Sequence, residues 1–444
     1  MKFAINALSP LGRKNFLRII QHKLRGKLYT LADMERILRV LCDEIRSISL
    51  PPITHLELFL ADGCNLNCTY CFEGLKPKRL MPMELAKMTV ERLIKEWCGD
   101  EKAVNINFFG GEPLLNWPAL KRTIEYAKEI AQKSDKQVSF SITTNGTLLN
   151  SERVRFLKNY QVSVMLSMDG LPEAHDRHRR TVKDRPSFPF VWKGFQLLRE
   201  HYETFDVRMT VMPDTVSLLF ESVMFLSEYG VKNLVIVPAF GLEWRPNDHK
   251  AYWQQIRKIA EHFLNTNRQD SSLIRISLLQ DLEKVEELVK KADIKSVQSD
   301  FGFYSGCYAG ANGIAVSSSG EIFPCAPFVG SKDLRESYCL GTVQKGLDNF
   351  RRQELYVLNR HGGLKCQQCI LRSFCLGVCM VANYYATGYL IEPDPMACQK
   401  TAFYVSLGKR RIYEACISSG LTYLEKGGRG EKGEDRDDSN LLGS

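Results

Sequence analysis

Six strand-length runs of β-branched and aromatic residues mark the first half of the chain: HLELFLA (55–61), VNINFFG (104–110), VSFSITT (138–144), VSVMLSM (162–168), VRMTVM (207–212) and NLVIVPA (233–239). Between them, segments such as MELAKMTVERLIKEW and WPALKRTIEYAKEIAQK place apolar residues near every third or fourth position, the period of a helix with one buried face. Strand and crossover helix in alternation predict an α/β fold with a parallel sheet. In such folds the chemistry collects on loops leaving the C-terminal strand ends. The loop after the first strand, FFGGEP after the second, TTNGT after the third and SMDG after the fourth are therefore expected at one rim.

Further along, residues 250–300 read as helices, clearest in AYWQQIRKIAEHFL and LEKVEELVKKA. From 306 to 400 glycines and cysteines become dense, as in a small domain organised by metal. The first 50 residues hold one helical pattern, LADMERILRVLCDEI, and no motif with chemistry. The ending EKGGRGEKGEDRDDSNLLGS is charged, Gly-rich and too poor in apolar groups to order itself. The expected partition is an N-terminal extension (1–50), a barrel (51–245), a helical connector (246–300), a Cys-rich domain (301–405), and a C-terminal helix with a disordered tail (406–444).

Composition narrows the class. At 444 residues the chain exceeds what a single core serves, and 44% hydrophobic with 25% charged residues is ordinary for a soluble globular protein. MKFAINALSPLGRKNF lacks a signal-peptide pattern, and no apolar run approaches the roughly 20 residues of a spanning helix. A cytoplasmic protein without a membrane partner is expected. The net charge of +9 fits a basic enzyme or one that steers an acidic partner. No Lys/Arg block is interleaved with aromatics, so nucleic acid is not expected.

Fourteen cysteines in a reducing compartment change the picture, because ten of them fall into tight local sets that point to metal ligation rather than disulfides. Cys42, Cys98, Cys339 and Cys416 lie outside the sets and read as buried thiols. In ADGCNLNCTYCFEG, Cys64, Cys68 and Cys71 share one loop. Three thiolates can hold three irons of a cubane [4Fe–4S] cluster and leave the fourth iron open to an exogenous ligand. The competing reading is a zinc site with a distant fourth ligand.

The CX3CX2C loop after a strand that opens a β/α run, with Tyr70 beside Cys71, resembles the radical S-adenosylmethionine (SAM) superfamily. The resemblance implies a partial (β/α)6 TIM-like barrel in which Cys64, Cys68 and Cys71 bind the catalytic cluster and SAM chelates its free iron. It implies SAM contacts for Tyr70, for Gly110, Gly111 and Glu112 of the GGE motif, for Asn145 of TNGT, for Ser167 and Asp169 of SMDG, and for Arg179 of HDRHR, as a carboxylate partner. As plain residues, these polar groups serve equally as caps or turns.

The later cysteines resemble the SPASM extension of these enzymes. Cys307, Gly320 and Cys325 are followed by CX2CX5CX3C at Cys366, Cys369, Cys375 and Cys379, and Cys398 closes the series. By resemblance Cys366, Cys369, Cys375 and Cys398 coordinate an outer auxiliary cluster, while Cys307, Cys325 and Cys379 hold an inner one. Its fourth ligand is Cys339 or an open position for a substrate thiolate. Three [4Fe–4S] clusters and SAM are the cofactors implied, and seven thiols are too many for one zinc.

Within the resemblance, covering roughly 52–405, sulfatase-maturing relatives carry an Asp, the proposed base, directly after the second cysteine of the inner set. This chain has Ala326 there. CYAGANGIAVSSSGEIFPCAPF matches better the maturases that crosslink ribosomally made precursor peptides through thioether or carbon–carbon bonds. The function expected is thus peptide crosslinking by a 5′-deoxyadenosyl radical. Sulfatase maturation is one alternative, and a non-catalytic iron–sulfur scaffold or electron carrier is another. Expected partners are a precursor peptide with an acidic leader, a separate leader-recognition protein (50 N-terminal residues being short for a winged-helix domain), and a reductant of the flavodoxin or ferredoxin type.

Overall fold

The computed structural model describes residues 8–23, 30–74, 77–266, 274–291, 307, 309–361, 366, 369–375 and 379–418. Six strands appear where the apolar pattern places them: β1 (His55–Ala61), β2 (Ala103–Gly110), β3 (Gln137–Thr144), β4 (Ser163–Ser167), β5 (Asp206–Val211) and β6 (Asn233–Pro238). Each pairs parallel with the next in chain order. Helices cover the outer face, among them Met83–Arg92, Trp117–Lys133, Ser151–Asn159, Phe188–His201 and Leu219–Glu228. Alternation explains the layering: Leu56, Leu58 and Leu60 of β1 are buried in the core shared with those helices, and the intervening positions turn to the barrel interior.

The sheet is longer than six strands. Its order is β7-β6-β5-β4-β3-β2-β1-β8-β9, where β7 is Arg275–Ile276, β8 is Gly313–Val316 and β9 is Ile322–Phe323. β7 lies within the expected helical connector, between helices Pro246–Thr266 and Ser277–Lys291. Two residues are too few for period-2 alternation to show. β8 belongs to the Cys-rich segment, yet pairs parallel with β1, His55 opposite Gly313 and Leu58 opposite Val316. The Cys-rich segment thus extends the barrel's own sheet rather than packing as a separate unit.

The first 50 residues form two helices, Pro10–Lys23 and Leu31–Ser47, the second capped by Thr30 and Asp33 in a reciprocal box. Leu11, Phe16, Ile19, Ile20, Leu38, Leu41 and Ile45 enter a second core with Phe59, Phe323, Phe328, Leu355, Leu358 and Met380. Polar contacts fix the seam. The Ser9 N–H donates to Glu354 Oε2 at 2.9 Å and the Ser9 hydroxyl donates to Oε1, while the Leu390 N–H donates to Asn15 Oδ1 at 2.9 Å. The C-terminal helix runs Pro395–Ser418, starting earlier than the expected 406. The expected disordered tail lies, from 419 onward, outside the described residues, as does the side chain of Cys416. Cys42 and Cys98 are buried, as expected of them. No helix among the described residues is long and apolar enough to cross a membrane.

Candidate active site

All four predicted rim loops converge on one cavity of about 480 Å³ at the C-terminal ends of the strands. Cys64, Cys68, Tyr70 and Cys71 line it from the loop after β1, Gly110 and Gly111 from the end of β2, Asn145 after β3 and Ser167 at the end of β4. The chain passes tightly here. Gly110 has φ +122°, and a Cβ on it would collide with the Ala61 carbonyl oxygen; one on Gly111 would collide with that of Gly63. Only glycine fits such a close approach of two backbones.

The SAM-side polar residues divide into those that face the cavity and those that brace it. Asn145 Nδ2 donates to Asn65 Oδ1 at 2.9 Å and toward Cys64 Sγ at 3.6 Å, and the Leu66 N–H points to the same sulfur at 3.4 Å. Glu112 is fully enclosed and does not line the cavity. Its Oε1 accepts from the Thr144 hydroxyl at 2.7 Å and the Leu114 N–H at 3.1 Å, and its Oε2 accepts from the Asn145 N–H at 2.8 Å. Glu112 thus braces the site, because three donors tie its carboxylate to the β2 and β3 loops. Burial raises its pKa to about 7 against those hydrogen bonds.

Asp169 likewise does not line the cavity, since its oxygens are occupied. Arg179 clasps it in two contacts of 2.8 and 3.1 Å, Tyr70 donates to Oδ2 at 2.5 Å, and the Thr210 N–H donates to Oδ1 at 2.9 Å. Burial opposes ionisation of Asp169, but the Arg179 charge and hydrogen bonds hold its carboxyl below the ordinary value. Arg179 borders the cavity with its guanidinium over the Tyr70 ring at 5.2 Å. Its charge is matched by Asp169, so it is placed less as a free carboxylate receptor than as half of a buried pair. His175, buried behind Asp169 and close to Ser187 Oγ at 3.0 Å, has a pKa depressed to about 3 by burial.

Cys307, Cys325 and Cys379 border the same cavity. Burial raises the Cys325 thiol well above its ordinary pKa, and the neighbouring Glu57, Cys379 and Cys307 add to it. Around Cys398, burial and then Cys366, Cys375 and Cys369 push the thiol up to about 11, so these four share one electrostatic neighbourhood apart from the cavity. Cys339 joins neither set: its thiol donates to the Gly341 carbonyl at 3.4 Å and does not reach the cavity wall. Of the two expectations for the fourth ligand of the inner set, an open position fits this placement better than Cys339. Residues 292–306, just upstream of Cys307, lie outside the described residues.

Several lining residues escaped sequence reasoning. Phe72 stacks with Phe109 and Phe240, ring centroids 6.3 and 6.0 Å apart, and forms an aromatic wall. Glu57 and Arg208 project from β1 and β5 into the same space. Burial lifts the Glu57 pKa to about 7, opposed by the Ala326 N–H bond and the Arg208 charge. A lone acid within HLELFLA was the available signal.

Residues 58–225 match the model of the Radical SAM superfamily. A Cys-type anaerobic sulfatase-maturating enzyme of Clostridium perfringens is 25% identical over 379 residues, 77% of this chain and 95% of its own. The radical SAM cyclopropyl synthase TigE of Paramaledivibacter caminithermalis is 23% identical over 368 residues, 78% of this chain and 72% of its own. An uncharacterized protein of Methanocaldococcus jannaschii is 31% identical over 180 residues, 40% of this chain; the match spans 60% of that protein's length. Among solved structures, anSMEcpe with bound AdoMet and Cp18Cys peptide superposes with TM-score 0.65 at 21% identity, covering 82% of this chain and 99% of that one. Streptococcus suis SuiB bound to its precursor peptide SuiA gives 0.54 at 16%, covering 87% and 89%. Taken with the thiol-lined rim of a parallel β/α barrel, the match over residues 58–225 identifies an enzyme with a radical SAM domain, similar over most of its length to SPASM-type maturases, and the chemistry of such a domain calls for a [4Fe–4S] cluster and SAM.

Proposed function

We propose that the chain is a peptide maturase that forms a thioether or carbon–carbon crosslink in a ribosomally made precursor. The observation that carries this reading is one cavity bordered by both thiol triads, Cys64, Cys68 and Cys71 on one side and Cys307, Cys325 and Cys379 on the other. Soft thiolates fit iron–sulfur clusters, and the first triad leaves one cluster position for SAM. When bound, that cluster and SAM supply a 5′-deoxyadenosyl radical able to remove hydrogen from carbon.

The chain's own groups then have definable tasks. Gly110 and Gly111 let the β2 loop approach the cluster loop, Asn145 holds Cys64 and Asn65, and Ser167 and Tyr70 border the cavity, the Tyr70 hydroxyl being held by Asp169. Phe72, Phe109 and Phe240 keep one wall apolar, which excludes water from a reactive intermediate and suits a peptide side chain. The outer thiols Cys366, Cys369, Cys375 and Cys398 would hold a second auxiliary cluster. Peptides bound by anSMEcpe and SuiB support a peptide substrate here.

Sulfatase maturation is the second reading, favoured by the match that spans nearly all of the Clostridium perfringens enzyme. Ala326, after Cys325, weighs against it. The test is anaerobic: reconstituted protein is reduced with SAM and either a Cys-bearing sulfatase peptide or a short peptide encoded by a neighbouring reading frame, once one is identified. Crosslinking predicts 5′-deoxyadenosine and loss of two hydrogens' mass from the neighbouring peptide. An aldehyde on the sulfatase peptide selects the second reading, and no 5′-deoxyadenosine with either peptide selects a scaffold. Replacing Cys64, Cys68 and Cys71 together by Ala removes about four of roughly twelve irons and abolishes SAM cleavage.

A further inference from the structure

Apolar groups make up much of the cavity wall, yet β1 drives a carboxylate into it. Glu57 interrupts the leucines of HLELFLA, is 7% exposed, and faces inward while Leu56, Leu58 and Leu60 face the helices. An acid in such a place is costly unless it is fully paired or used. Glu57 is only half paired: Oε2 accepts from the Ala326 N–H at 2.6 Å, and among the described residues no donor reaches Oε1. Arg208, opposite on β5, supplies positive charge without being able to take a proton. Because Ala326 directly follows Cys325, the carboxylate stands at the foot of the second triad, inside the space that the first triad also borders. The other ionisable groups on the wall are differently placed. Tyr70 and Arg179 are bound to Asp169, and Glu73 sits in the cluster loop two residues after Cys71.

We propose that Glu57 is the proton acceptor of the bond-forming step. The assignment rests on the maturase reading and deepens it. The overall change is C–H plus X–H giving C–X, where X is a sulfur or carbon atom of the peptide. One hydrogen atom passes from the peptide carbon to the 5′-deoxyadenosyl radical and ends in 5′-deoxyadenosine. The carbon radical then bonds to X as X–H breaks. The proton of X–H passes to the Glu57 carboxylate, and the one remaining electron would pass to the iron–sulfur cluster that Cys307, Cys325 and Cys379 would hold. Two hydrogens and their electrons are thereby accounted for. β1 supplies from the barrel what the residue after Cys325, an alanine, cannot.

Glu57→Gln keeps an oxygen that accepts from Ala326 but removes the proton acceptor, so a purely structural role survives the substitution. Reconstituted full-length wild type and variant are compared with SAM, reductant and a peptide that the wild type processes. The ratio of crosslinked product to 5′-deoxyadenosine falls about 100-fold in E57Q, and Glu57→Asp recovers about tenfold of it. Iron per chain, and peptide affinity of the unreduced protein by calorimetry, stay within about twofold of wild type. An unchanged product ratio in E57Q overturns the assignment. Loss of iron or of peptide affinity by about tenfold or more also overturns it, by making Glu57 a structural or binding group. If the wild type processes no peptide, the maturase reading fails and the Glu57 assignment falls with it.

Discussion

Glu112 shows how a motif residue can be legible by position and not by task. Its carboxylate satisfies Thr144, Asn145 and Leu114 in a dry interior, so Glu112→Ala strands three donors at about 1–3 kcal/mol each. The cluster-free variant should unfold well below the wild-type temperature in calorimetry. The pKa raised to about 7 fixes the sign of a pH effect. The folded chain holds a proton that the unfolded chain releases near the ordinary carboxylate value, so this group's stability contribution is complete at low pH and fades as pH rises through about 7. Between about pH 5 and pH 7 the wild type should lose about 2 kcal/mol relative to Glu112→Gln in denaturant titrations. A difference that stays flat over that range would contradict the assignment. The Asp169–Arg179 pair gives a second residue-scale expectation. Both partners are buried, so Asp169→Asn leaves an uncompensated guanidinium and costs about 3–5 kcal/mol, with Tyr70 losing its acceptor and SAM affinity falling in equilibrium binding.

Among elements, β1 does the most. Its outer leucines knit the helical layer, its inner face carries Glu57, and its edge takes β8. Helices were readable wherever a long amphipathic pattern stood alone, as in Leu31–Ser47, predicted as LADMERILRVLCDEI. The helix Pro10–Lys23 has its own apolar face at Leu11, Phe16, Ile19 and Ile20, but its partner surface lies more than 300 residues away, around Leu355 and Leu358. Burying each such side chain contributes about 1.5–3 kcal/mol. Ser9→Ala removes a hydroxyl that donates to buried Glu354, and is expected to cost about 1–2 kcal/mol. It should speed proteolysis within residues 8–23 while SAM cleavage continues. Equal cleavage rates in variant and wild type would show that this seam does not hold the helix down.

At the scale of the molecule, the chain surrounds one reaction space with two thiol triads and keeps the outer thiols apart. On the proposed function, its net charge of +9 would attract an acidic peptide leader. Peptide affinity measured at rising salt should therefore fall, with the loss in the association rate; a salt-independent affinity would remove charge as a source of recognition.

The apolar pattern by itself determined six parallel strands, their crossover helices and the common rim, because period and turn chemistry are local properties of the chain. The cysteine spacings likewise showed where thiols gather along the chain. Only the tertiary structure decided which thiols face each other. It joined Cys307, Cys325 and Cys379 to the cavity of Cys64, Cys68 and Cys71, and left Cys339 on a backbone carbonyl. It also turned Glu112 and Asp169 inward and delivered Glu57 beside Ala326. Those placements depend on strand register and on β8 closing against β1, which bring together residues hundreds of positions apart; no local window of sequence contains that geometry.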